Sequence, residues 1–428
     1  MDISQSPDEI ALRGYVLSNI ERTLKSPNRM MKHPFIDPGS VYEGNLWDWD
    51  SFWASYALLN LATEQGQGSA RRERFCNHIR GNVLNFLDYQ LSDGYLPIMI
   101  QEKDYPEPYL NRKHREGAVL NMHKPFLCQQ ICLVSEADDG YGWIEGQWKA
   151  IESYFACYDR LYLNANTGLY VWADDVMIGN DNDPAIFGRP RFSTAGLFLN
   201  GFMVEELRAA AGIATKIGNP KSAAQLTERA ASLTRSLQNE CWDPRDGFFY
   251  SADIDVRTRP YDWFHVGLGV FWKSLPIKVR SWPGFLPLLT GVATREQAAR
   301  LAAHADDTAT FLAPWGIMSL ARDEKMFNLD ASLNPSNWLG AVWIVASYVV
   351  FRGLLNYGFT DQARGICDAT LRLLGNDLAR TGTLHEYYNP FTGQPIMNPG
   401  FLNWNMLAIN MADEMRGKPP MRPWGGLS

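Results

Sequence analysis

Thr360-Asp361-Gln362-Ala363-Arg364-Gly365-Ile366-Cys367-Asp368-Ala369-Thr370-Leu371-Arg372-Leu373-Leu374 sets its apolar residues at helical spacing. Ala363, Ile366, Cys367, Thr370, Leu371 and Leu374 recur three and four apart, which puts one stripe along one side of a helix. The same rhythm returns along the chain. Ser6-Pro7-Asp8-Glu9 reads as a capping box with proline at the first helical position, and Ile10, Leu12, Val16, Leu17, Ile20 and Leu24 follow at helical spacing. A second helix is expected through about Ala62, capped by Asp50 or Ser51. Others are expected over 69–91, 122–136, 143–162, 193–217, 220–240, 337–357, 361–376 and 400–415. One more, over 295–304, follows a capping box at Thr294–Gln297. Strand-like pieces are short, such as Gly168–Val171 and Gly247–Tyr250.

Between these helices, long loops (32–48, 92–120, 164–192, 242–291, 305–336 and 377–399) collect most of the Asp, Trp, Tyr and Pro. There is no Gly/Ser-rich linker and no abrupt change of composition. Ten to twelve helices with alternating short and long loops fit an all-α fold of six helical hairpins around one axis. Length alone would allow two or three domains, but large single barrels reach this size. The expectation is one domain over 1–428, with loop insertions around 92–120, 164–192 and 242–291. Function would then sit on the loop-rich end.

Composition narrows the partners. A formal charge of −7 over 428 residues, with no Lys/Arg stripe, argues against nucleic acid. No run approaches the ~18 to 20 apolar residues of a spanning helix. Met1-Asp2-Ile3-Ser4-Gln5 has no basic or apolar leader character. The six cysteines are scattered; Cys128 and Cys132 share a helix face, but nothing completes a zinc pattern. Buried thiols and a cytoplasmic location are therefore expected, with no cofactor and with a small molecule as partner. Oligomeric state leaves no mark on the sequence.

Aromatic residues stand out, with 15 Trp, 18 Tyr and 21 Phe. Much of this is core, yet Trp47, Trp49, Trp172, Trp315 and Trp404 fall in or beside loops rich in Asp, Asn and Glu. Flat apolar sugar faces stack on such rings while hydroxyls meet the polar groups. Gly179-Asn180-Asp181-Asn182-Asp183-Pro184-Ala185-Ile186-Phe187-Gly188 is the most concentrated of these loops. An Asp-rich turn can hold calcium, but the Gly-x5-Glu ending of an EF-hand loop is missing. N-cap chemistry accounts for one Asp in Val41–Trp53, but not for Glu43, Asp48 and Asp50 beside three Trp. A β-turn at Asn389-Pro390 accounts for Thr383–Gly393 only if Glu386 is idle. Trp338 and a close-packing Gly340 open the helix expected from 337, where a core aromatic contact is the plain alternative.

Four motifs occur in one order: Trp47-Asp48-Trp49-Asp50-Ser51-Phe52, Gly-x-Asp-Asn-x-Pro at 179–184, Trp338-x-Gly340-x-Val342-Trp343 and Glu386-Tyr387-Tyr388-Asn389-Pro390-x-Thr392-Gly393. Together they resemble glycoside hydrolase family 63, including its short bacterial glycosylglycerate hydrolases, with family 37 trehalases as relatives. The likeness covers roughly 40–415. It implies an (α/α)6 barrel that hydrolyses α-glycosides with inversion, with Asp181 as general acid and Glu386 as general base. Asp50 would bind sugar hydroxyls, with Trp47 and Trp49 nearby. The chain departs from the family where Leu339 and Ala341 follow Trp338 and where Ala185 follows Pro184; these positions bear on the substrate.

Inverting hydrolysis needs one carboxylic acid to protonate the leaving oxygen and a second carboxylate to activate water, ~6.5 to 9.5 Å away. More than two hundred residues separate Asp181 from Glu386, so a closed fold must bring them together. Trp172 and Phe187, with Asp183 close by, would keep Asp181 protonated. Asp183, Asp174 and Asp175 are its rivals. Tyr42, Trp47, Trp49, Asp50, Trp172, Arg189, Trp315, Trp338, His385, Tyr387 and Trp404 are the expected substrate-binding residues. If the aglycone is glycerate, its carboxylate needs a cation from Lys113, Arg115, Lys124, Arg189 or Arg191. A small α-glucoside or α-mannoside is the expected substrate. The alternatives are a sugar epimerase or isomerase using His123, His265 or His385, and a sugar-binding protein that has lost catalysis.

Overall fold

The computed structural model describes residues 5–62, 69–138, 140–256, 271–330, 336–422 and 424–425. Twelve helical segments are numbered here in chain order: α1 (Pro7–Asn19), α2 (Asp48–Ala62), α3 (Ser69–Asp88), α4 (Leu127–Ala137), α5 (Trp148–Tyr162) and α6 (Leu197–Lys216). After them come α7 (Pro220–Cys241), α8 (Leu286–Leu289), α9 (Arg295–Ala305), α10 (Ile344–Asn356), α11 (Thr360–Thr381) and α12 (Leu407–Met415). The even-numbered helices close a ring. α2 packs on α4, α4 on α6, α6 on α8, α8 on α10, α10 on α12, and α12 again on α2. Outside them, α3 rests on α2 and α4, α7 on α6, and α11 on α10 and α12, with α1 against α11 and α12. This is an (α/α)6 barrel.

Residue choice explains which helix goes where. Every residue of α2 is buried, with apolar side chains on all sides and polar ones such as Ser55, Asn60 and Asp50 hydrogen-bonded, as suits a helix inside the ring. α7 buries only Leu226, Ala230, Leu233, Leu237 and Cys241, the single stripe of an outer helix. The stripe on α11 is buried as its spacing requires. Thr294 and Gln297 make the expected reciprocal capping box. At α1 the Ser6 hydroxyl accepts the Glu9 N–H, but the Glu9 carboxylate turns to Arg13 and Arg416 instead.

Several boundaries differ from the sequence expectation. α2 begins at Asp48, so Asp50 lies inside its first turn rather than capping it. α4 begins at Leu127 rather than 122, because Pro125 and Phe126 form a turn just before it. α10 begins at Ile344 rather than 337. Residues 336–343 stay irregular because Val342 bridges Met318 and Tyr388 and Gly340 sits at φ +128, where a Cβ would strike Phe327 at 2.3 Å. α8 is absent from the expected helices. A 3-10 turn at Trp282–Phe285 leads into it, and Pro283 and Pro287 keep the whole segment short.

The end of the ring away from the long loops is filled by the C-terminal tail. Trp424 stacks on Trp53 at 5.9 Å, and the Arg422 guanidinium meets Glu205 Oε2 at 3.1 Å. All six cysteines are free and buried. No helix among the described residues is long and apolar enough to cross a membrane.

Candidate active site

Five segments that precede or open inner helices meet at the other end of the ring. They are Tyr42–Asp50 before and within α2, Lys124 before α4, 175–187 before α6, Ser336–Trp343 before α10 and Glu386–Trp404 before α12. Between them lies a cavity of about 330 Å³. Five of the six inner helices thus direct their N-terminal ends at one space.

Glu386 is held in it by a hairpin. Its N–H donates to the Met397 carbonyl at 3.0 Å, and Tyr387–Tyr388 pairs with Pro395–Met397. The carboxylate is 3% exposed. The Tyr42 hydroxyl lies 3.2 Å from both its oxygens, and the Asn398 amide donates to Oε2. Burial pushes the Glu386 carboxyl up to about 7; the Asn398 and Tyr42 hydrogen bonds oppose this, and the Asp181 charge adds to it. Tyr42 is pushed far above the ordinary phenol range, by burial first and then by the Glu386 charge, so it serves as a donor.

Asp181 enters from a loop fastened at both ends. Asn121 donates to the carbonyls of Asp174 and Val176, and Lys124 Nζ donates to the Met177 carbonyl at 3.2 Å. Beyond Asp181, Asn182 Oδ1 accepts the Trp338 N–H at 2.6 Å and its amide donates to Asn337. Burial raises the Asp181 carboxyl; the Lys124 cation, the Ser336 hydroxyl and a backbone N–H of Gly179 lower it. Asp183 does not figure in that balance. It faces away from the cavity, accepting from Asn180 at 2.6 Å, Ser281 at 3.0 Å and Ala185 N at 2.9 Å, with burial pushing it up to about 6. Asp174 is bound to Asn121. Asp175 stands at the cavity mouth and accepts the Gly188 N–H at 2.7 Å.

The floor is charged. Asp48 receives the Lys124 ammonium at 2.8 Å on Oδ1 and the Lys124 backbone N–H at 2.6 Å on Oδ2. Asp50 takes the Asn403 amide at 2.7 Å. Burial lifts Asp50 well above the carboxylate range, with Lys124 acting against this and Asp48, Glu386 and Asp181 for it. The walls are aromatic. Trp338 stacks on Trp343 at 3.9 Å and Trp343 on Tyr387 at 4.5 Å, while Trp49 packs against Trp404 at 5.2 Å. The indole N–H groups of Trp47 and Trp404 find no acceptor among the described residues. A ring face beside a free donor suits a sugar.

Of the residues expected in the site, Asp181, Glu386, Tyr42, Trp47, Trp49, Asp50, Trp338 and Trp404 line this cavity. Five others do not. Trp172 is behind the wall, packed on Phe198 at 6.2 Å. Arg189 pairs with Asp253, and Trp315 lies under Arg372 and against Gly393. The His385 ring is 2.9 Å from Asp377, and Tyr387 backs Trp343 rather than facing the space. Lys113 and Arg115 pair with Glu116 and Glu107, and Arg191 with Asp174 at 3.6 Å. Of the five cations considered for a glycerate carboxylate, Lys124 alone lines the cavity. His123 is buried against Phe86 at 4.5 Å, where burial lowers it to about 4. His265 lies outside the described residues. Asn398 and Asn403, which grip Glu386 and Asp50, were not singled out in the sequence. An isolated Asn carries no spacing signal.

The mannosylglycerate hydrolase MGH1-like glycoside hydrolase domain matches residues 44–404. A mannosylglycerate hydrolase of Thermus thermophilus is 29% identical over 38% of this chain and 32% of its own length. A probable mannosyl-oligosaccharide glucosidase of Schizosaccharomyces pombe is 25% identical over 52% of this chain and 27% of its own. The matched stretch thus spans about a third of the length of these relatives. Among solved structures, the family 63 mannosylglycerate hydrolase of Thermus thermophilus, in complex with glucose, superposes with a TM-score of 0.67 at 20% identity. The superposition covers 94% of this chain and 99% of that one. A neutral trehalase of Saccharomyces cerevisiae gives 0.56 at 15% identity, covering 91% and 76%. With its barrel and the match over 44–404, the chain belongs to the mannosylglycerate hydrolase MGH1-like glycoside hydrolases of family 63.

Proposed function

We propose that the chain acts as a single catalytic domain that hydrolyses a small α-glucoside or α-mannoside with inversion. Asp181 protonates the leaving oxygen as the glycosidic C–O bond breaks. Glu386 takes a proton from water as its oxygen bonds to the anomeric carbon from the opposite face. The observation that carries this reading is the pair of carboxyls in one aromatic-walled cavity, with the Asp181 charge felt at Glu386. The Asp181 charge raises Glu386, so the two groups take up their first proton as a linked pair. The productive arrangement places that proton on Asp181. Tyr42 and Asn398 favour it, since both donate to the Glu386 carboxylate.

Among the similar proteins, one was solved with glucose and also with D-glycerate, and several are mannosylglycerate hydrolases. Glucosylglycerate and mannosylglycerate therefore head the substrate panel, with trehalose, kojibiose and nigerose beside them. NMR of the first anomer released should show inversion. Asp181→Asn and Glu386→Gln should each lower kcat by at least a thousandfold. Near-wild-type turnover by either variant would end the assignment. Free sugar release also separates hydrolysis from epimerisation and from binding alone.

A further inference from the structure

Lys124 is a buried lysine, 1% exposed, in the floor of the sugar cavity. Its ammonium meets Asp48 Oδ1 at 2.8 Å and the Met177 carbonyl at 3.2 Å. Asp48 is gripped in turn by the Lys124 backbone N–H at 2.6 Å. Side chain and main chain of one residue thus close on one carboxylate, so the ammonium is fixed before any ligand arrives. An ammonium has three N–H donors. Among the described residues two are engaged, and the group borders the cavity. Asp50 borders it too, with Oδ1 taken by Asn403, which leaves Oδ2 as an acceptor. A donor and an acceptor of fixed position in one floor recognise a sugar hydroxyl, which can accept and donate at once.

We propose that Lys124 determines glycone specificity: its third N–H donates to one hydroxyl of the glycone, for which Asp50 is the companion acceptor. The inference rests on reading the cavity as a glycone site. It also sets the substrate class. Asp50, Asp181 and Glu386 share the cavity, and the charge of Lys124 is matched by Asp48. A uronate would meet the Glu386 carboxylate and an ammonium already matched by Asp48, so the glycone is a neutral hexopyranose.

Tryptophan fluorescence reads this without turnover, since Trp49, Trp338 and Trp404 line the cavity. Wild-type protein, Lys124→Met and the double variant Asp48→Asn/Lys124→Gln are titrated with glucose, mannose, their 2-, 3-, 4- and 6-deoxy forms, and glucuronate. A charged hydrogen bond supplies about 1.5 to 3 kcal/mol, or roughly 10- to 100-fold in affinity. Lys124→Met should weaken the parent sugar by that factor while binding one deoxy sugar as well as wild type does. Glucuronate should not compete. An equal loss on every deoxy sugar, no loss on the parent, or preferential binding of glucuronate would overturn the inference. The double variant, which leaves no buried charge unpaired, keeps the comparison valid if Lys124→Met fails to fold. Binding is scored apart from turnover, so failure of the hydrolytic assignment shows up separately in the Asp181→Asn and Glu386→Gln assays.

Discussion

Asn398 donates its amide to Glu386 Oε2 from a backbone held at φ +54. That left-handed conformation costs a non-glycine residue about 1 kcal/mol or more, and the cost is tolerated where a side chain must be aimed. Asn398→Gly should therefore keep or slightly raise stability while losing about 10- to 100-fold in kcat/KM. The donor also holds the Glu386 carboxyl down against burial. Glu386 works as a base only when ionised, so losing the donor raises its pKa. The acid limb of the kcat/KM profile should move to higher pH. An unmoved acid limb would assign Asn398 to loop structure alone.

Glu206 on α6 caps α4 from the side, accepting the N–H groups of Cys128 at 2.7 Å and Gln129 at 3.1 Å. Burial pushes it up to about 7 in spite of those bonds and Arg422. Its folded pKa lies above its unfolded one, so its contribution is complete below about pH 4.3 and fades as pH rises through 7. The loss amounts to roughly 4 kcal/mol at most. Urea unfolding at pH 5 and pH 8 should show a smaller loss for Glu206→Gln than for wild type. A Gln variant with the wild-type pH dependence would contradict this.

The sequence carried the barrel because its helices announce themselves by period: α11 buries the stripe that its spacing shows. It did not carry α8, whose prolines and short length leave no period to read. Nor did it carry the irregular course of 336–343, where Val342 bridges residues far along the chain. The acid loop and the Glu386 hairpin were legible as motifs. Trp172 and Trp49 look alike in sequence, since both are Trp near carboxylates. Only the closed ring puts one behind the wall and the other in it. The Asp48–Lys124 pair joins the first residue of α2 to the segment before α4, and a lone Lys before a Pro gives no hint of it.

Trp424 fills the ring below the cavity, stacked on Trp53 and donating to Tyr56 at 3.3 Å. Removing a fully buried indole leaves a void that helices on every side cannot close. Trp424→Ala should cost about 3 to 5 kcal/mol by denaturant unfolding. Below its melting temperature the variant should keep kcat within a few-fold, because the Trp424 ring packs on Phe52, Trp53, Tyr56 and Arg422, none of which lines the cavity. A stability change under 1 kcal/mol would mean the tail is a passive cover.

Lys124 also bears on which carboxyl holds the shared proton. Its charge lowers Asp181 and Asp50, whereas Glu386 is governed by burial, Asn398, Tyr42 and Asp181. Asp181 must be protonated to act, so activity falls as pH rises through the upper pKa of the pair. Removing the cation strengthens the hold of Asp181 on its proton. In Lys124→Met the alkaline limb of kcat/KM should therefore move to higher pH, even as overall activity drops through the lost floor contact. The Asp48→Asn/Lys124→Gln variant removes Asp48's opposing charge together with the cation, so its alkaline limb should move less. A limb that shifts to lower pH in Lys124→Met would mean that Asp181 is not the group titrating there.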